Sequence, residues 1–134
     1  RENYFSDDGL KYEIINRWSL TGPCNMMNKK LFIESGGYDE TLFLEDWDFY
    51  LRAAANNSIL YFDQQVAAYR LHGNNFTSSS NKNFKLLQSL YLTAKKSYRL
   101  FNKPYTGYLL RKKISYQIQM IFFPLKHVSR VIKG

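Results

Sequence analysis

Gly36-Gly37-Tyr38-Asp39-Glu40, followed after a short spacer by Glu45-Asp46-Trp47-Asp48-Phe49-Tyr50-Leu51-Arg52, is the stretch on which the fold of this chain turns. Glycine takes the left-handed conformation that closes helices, so the Gly36-Gly37 pair ends a short helix predicted over 30–35. Acids at 45, 46 and 48 suit the positive end of a helix macrodipole and predict a second helix over 45–55, closed by Asn56-Asn57. Asp48 and Arg52 stand four residues apart, which pairs them along one face in a structural role. Asp46 lies about 200° round the helix from Asp48, at ~100° per residue. One carboxylate can therefore face a cleft while Arg52 holds the other. Such a concentration of carboxylates beside aromatic residues reads as the rim of an active site.

Outward from this stretch, a helix is predicted over 10–18 and a strand over 25–28. Further strands are predicted over 59–62 and 66–71. Short mixed helices and strands imply an α/β layer structure. The character changes at Ser78-Ser79-Ser80-Asn81, which divides the chain into 1–80 and 81–134. Beyond the divide Phe84, Leu87, Tyr91, Ala94, Tyr98 and Phe101 recur at steps of three and four, the stripe of an amphipathic helix, with Lys85, Lys96 and Arg99 opposite. Pro104 and Gly107 separate it from a second helix over 108–123, which Pro124 bends or ends.

The 134 residues are 45% apolar and 22% charged, a composition that builds a core and excludes a disordered tail. No apolar run reaches the ~18 residues of a membrane span. The lone Cys24 allows neither an internal disulfide nor a thiolate cluster. The chain starts at Arg1 and shows no signal peptide, so it reads as a piece of a longer protein. Residues 1–81 hold all eleven acids and seven of the nineteen Lys and Arg, whereas residues 82–134 hold the other twelve cations and no acid. The second segment therefore attracts anions, whether on lipid, nucleic acid or a charged ligand.

The order Gly-Gly-Tyr-Asp-Glu, Glu-Asp-Trp-Asp-Phe-Tyr-Leu-Arg (45–52) and Val-Ala-Ala-Tyr-Arg-Leu-His (66–72), with Thr21-Gly22-Pro23-Cys24-Asn25 upstream, resembles family 2 glycosyltransferases of GT-A fold. The likeness covers roughly residues 18 to 77 and lies in the C-terminal, acceptor-side half of that catalytic domain. It implies a partial GT-A domain over 1–80 without its nucleotide-binding half, and a basic helical extension over 81–134. The implied reaction is inverting transfer of a sugar from a nucleotide-diphosphate donor to a hydroxyl of a glycan or lipid-linked acceptor. Asp46 matches the family's general base, a role worth ~10²–10⁴-fold in rate. A helix N-terminus should keep that carboxyl ionised but only modestly basic. Glu45 orients the acceptor or Asp46, or caps the helix. Trp47 stacks on an acceptor sugar or belongs to the core. Arg70 and His72 follow a predicted strand, where the cation can meet a diphosphate and the imidazole a metal. The full-length enzyme is expected to use Mn²⁺ or Mg²⁺ through an Asp-X-Asp motif outside this chain. The 134 residues alone are accordingly expected to transfer no sugar.

The basic helices have two readings, core packing against the catalytic domain or contact with an anionic membrane, which would place the protein in the cytoplasm at the inner membrane face. A non-catalytic module that binds nucleic acid or membrane is the alternative to the enzyme. Nucleic acid is disfavoured, because the aromatics follow a core stripe and no recognised motif for it occurs.

Overall fold

A computed structural model of the chain describes residues 6–17, 25–62, 64, 65, 67, 68 and 83–131. Every regular element among them is a helix: α1 (Asp7–Asn16), α2 (Lys29–Glu34), α3 (Glu45–Asn56), α4 (Asn83–Ser97) and α5 (Tyr105–Val131). The α/β expectation, and with it the partial GT-A domain, is overturned. Segments 25–28 and 59–62 carry no strand, because a strand exists only where a neighbour completes its ladder. Here the backbone groups bond elsewhere: the Ile59 amide donates to the Asp7 carboxylate at 3.4 Å, and the Asn28 side chain caps α2 by accepting from the Lys30 amide at 2.8 Å. The strand predicted over 66–71 lies for the most part outside the described residues, and Ala67 and Ala68 within it form none.

Local chemistry explains the helix ends. Ser6 caps α1 by accepting from the Gly9 amide at 3.0 Å, and Asp7 and Asp8 fill its first turn. At the end of α2 the Gly37 amide reaches the Phe32 carbonyl (2.9 Å) and the Gly36 amide the Ile33 carbonyl (3.0 Å), a Schellman closure with φ of +78° and +64° at the two glycines. A β-carbon on Gly37 would stand 3.3 Å from the Phe32 ring. Gly37→Ala is expected to cost about 1–2 kcal/mol from the left-handed backbone alone, read as a lower urea midpoint. An unchanged midpoint would mean that the turn tolerates a side chain.

Leu10, Ile14 and Ile15 of α1, Trp47, Tyr50, Leu51 and Ala54 of α3, Phe101, and Leu109 of α5 form one core. α4 and α5 make the largest helix pair; Phe84, early in α4, meets Phe123, late in α5, at 5.2 Å between ring centres, so the two run antiparallel. α5 does not begin at 108 or stop at Pro124. Gly107 belongs to its first turn, and the helix passes Pro124 to Val131, since one missing N–H removes a single bond from a long ladder.

On α4 the buried face holds Leu87 and Ala94 from the expected stripe, but also Ser89, Thr93 and Ser97, while Phe84 is exposed. The hydroxyl row is buried because α4 packs on α3 as well as on α5.

Candidate functional site

The first turn of α3 sorts its acids into two environments. Asp48 is 1% exposed; its Oδ2 accepts from Arg52 Nε at 2.8 Å. The same guanidinium donates through Nη2 to the Gly37 carbonyl at 2.7 Å and through Nη1 to the Ser35 carbonyl. It also lies 5.7 Å from the centre of the Phe49 ring. Arg52 thus ties α3 to the Schellman turn at the end of α2, and the pair expected from the spacing is present.

Asp46, on the other side of the helix, is half-buried. The ion pairs among the described residues engage Asp7, Glu13, Glu34, Asp39 and Asp48, not Asp46. Its Oδ1 accepts from the Trp47 amide at 2.8 Å, which also satisfies one of the orphan N–H groups of the helix start. Burial pushes the Asp46 carboxyl above its ordinary value; the Glu45 charge adds to this, and the Trp47 amide opposes it. The helix N-terminus was expected to leave this carboxyl ionised but only modestly basic; the direction of the shift shows that loss of solvent outweighs the helix end here. Tyr38 faces the same space: its phenol is held above the ordinary range by burial and by the charges of Asp46 and Glu45. Its ring packs edge-on to Phe32 and Phe49 at centroid distances of 5.2 and 5.3 Å, while 39% of the residue remains exposed.

Trp47 is 1% exposed, and its indole N–H donates to the Ile14 carbonyl at 2.9 Å. With both ring faces in the core it has no surface on which to stack a sugar, so of its two readings the core one describes its place. Arg70 and His72 lie outside the described residues. Among the described residues no three His, Cys, Asp or Glu side chains gather as a metal-ligand set. Two shallow depressions lie around α2, one lined by Asn28, Lys29, Lys30, Ile33 and Glu34, the other by Leu31, Ser35 and Arg52 among others; neither includes Asp46.

The loop that delivers Glu45 and Asp46 is fastened to α4. Leu44 caps α3 without a side-chain bond, and its own amide donates to buried Ser89 Oγ at 3.0 Å. Lys96 pairs with Asp39, and with the Thr41 hydroxyl and amide it holds the Asp39 carboxyl down to about 2. A lowered folded value means this tie adds stability above about pH 4, the unfolded carboxyl range, and is lost as the pH falls towards 2. Tyr38 and Ser89 were not singled out from the sequence as part of a site. The Gly-Gly-Tyr turn was the available signal for the first; a serine inside an amphipathic helix gave none for the second. Ser89→Ala leaves the buried Leu44 amide unpaired and is expected to cost about 1–3 kcal/mol in a denaturant melt. A change within error would show that another group takes over the amide.

No family model, curated protein or solved structure matches this chain. The function of the site has to be read from its chemistry.

Proposed function

We propose that the polypeptide carrying this sequence transfers a sugar from a nucleotide-diphosphate donor to a hydroxyl acceptor with inversion, Asp46 serving as the general base. The observation that supports this reading is the division of the two aspartates: Asp48 is spent on Arg52, whereas Asp46 sits half-buried, unpaired with any cation among the described residues and raised in proton affinity. A carboxylate that is partly desolvated is a stronger base than one in water, and a stronger base removes more of the barrier in the transition state. The acceptor oxygen attacks the anomeric carbon, its proton passes to the Asp46 carboxylate, and the diphosphate leaves with the electron pair of the broken bond. Burial does most to keep Asp46 basic, and repulsion from Glu45, just before it in the chain, adds to this. Buried Trp47 contributes by fixing the start of α3 against α1.

The experiment is sugar transfer measured against pH in the longest polypeptide that carries this sequence, with a panel of nucleotide-diphosphate sugars. The base must be ionised, so turnover should fall on the acid side at a pH above 3.8, the ordinary aspartate value. An acid limb at or below that value, or no transfer from any donor, would remove Asp46 from the role.

A further inference from the structure

We infer that the outer face of α5 docks on an anionic lipid surface, an inference that does not depend on the sugar-transfer reading. α5 sets one face on the core through fully buried Leu109 and partly buried Tyr105, Tyr108 and Tyr116. The opposite face presents Leu110, Ile114, Ile118, Ile121 and Phe122, exposed by 39%, 48%, 49%, 64% and 50%. At ~100° and ~1.5 Å per residue, these five occupy an arc of roughly 120° and a row roughly 18 Å long. A single exposed isoleucine is ordinary on a protein surface, but five large apolar residues in helical register form a binding face.

Charge selects the occupant. Residues 82–134 carry twelve cations and no acid, and among the described residues only Lys96 of these is in an ion pair, with Asp39. Exposed Arg111 lies within that arc, between the directions of Ile118 and Phe122, and Lys113 flanks it on the other side with its ammonium 5.2 Å from the centre of the Tyr98 ring. A second copy of the chain would bring the same cations against these, and a nucleic acid backbone offers nothing to the isoleucines. An anionic bilayer satisfies both at one plane, with the apolar row at the acyl boundary and Lys and Arg among the headgroups. Among the described residues no helix is long and apolar enough to cross a membrane, so α5 lies along the surface.

Co-sedimentation of the 134-residue chain with vesicles tests this. Vesicles of phosphatidylcholine and phosphatidylglycerol in equal parts should bind about tenfold or more tightly than phosphatidylcholine alone, with the difference shrinking as salt is added. The Ile114→Glu/Ile118→Glu variant should lose about tenfold on the mixed vesicles while keeping its helical circular dichroism, because both side chains are half exposed. Equal binding to both vesicle types, binding to neither, or undiminished binding of the variant overturns the inference. So does a dimer in sedimentation velocity that the variant abolishes without lipid, which assigns the face to a second copy.

Discussion

Arg52→Met is expected to remove about 3–5 kcal/mol of folding stability, the usual consequence of stripping one partner from a buried ion pair. Asp48 would then be left at 1% exposure with no cation, and its Oδ1 already has no hydrogen-bond partner. Two backbone carbonyls at the end of α2, those of Ser35 and Gly37, would lose their donor at the same time. Total stabilities of single domains run at about 5–15 kcal/mol, so the variant should be close to unfolding near body temperature. Arg52→Lys keeps the charge but not the planar fork and cannot reach three acceptors at once, so an intermediate loss is expected. Asp48→Leu/Arg52→Met removes the orphaned charge and should recover part of the loss, though not the part owed to the two carbonyls. Urea melts followed by circular dichroism distinguish these cases. A single Arg52→Met loss below about 1 kcal/mol, the level of a surface ion pair, would show that the guanidinium fork does not hold α3 to α2.

If Asp46 is the base of the proposed sugar transfer, Asp46→Asn in the longest polypeptide that carries this sequence is expected to lower that transfer by about 10²–10⁴-fold, the contribution of a positioned general base. The same substitution should leave folding intact or strengthen it. A carboxyl whose folded value is raised is penalised for ionising in the fold, so its contribution to stability is most favourable below the unfolded value and declines as pH rises through the folded one. Above the folded value the carboxyl is ionised and carries the penalty, which the uncharged amide removes. Asn also keeps an oxygen where Oδ1 accepts from the Trp47 amide, so the start of α3 retains its bond. The paired outcome, activity lost and melting temperature held or raised, separates catalysis from helix capping. Activity that survives in a folded variant would reduce Asp46 to a structural acid.

Local arithmetic along the chain was sufficient for several features. The Gly36-Gly37 stop, the extent of α3 and the Asp48–Arg52 pair are set by groups no more than about six residues apart, where caps, dipole and helical spacing act. Short apolar runs such as 59–62 look alike whether or not a sheet receives them, so strand patterning there could not reveal that no partner is present among the described residues. Ser89, Thr93 and Ser97 were equally opaque, because a hydroxyl row becomes an inward face only when a third helix lies against it.

The sequence by itself therefore determined where α2 ends, where α3 begins and ends, and which aspartate Arg52 takes. Tertiary structure alone decided that every regular element among the described residues is a helix, that Trp47 is sealed in the core, and that burial raises the Asp46 carboxyl. Those outcomes depend on burial and on partners from distant parts of the chain, and the cost of removing water from a group is set by what folds over it, not by its neighbours in sequence.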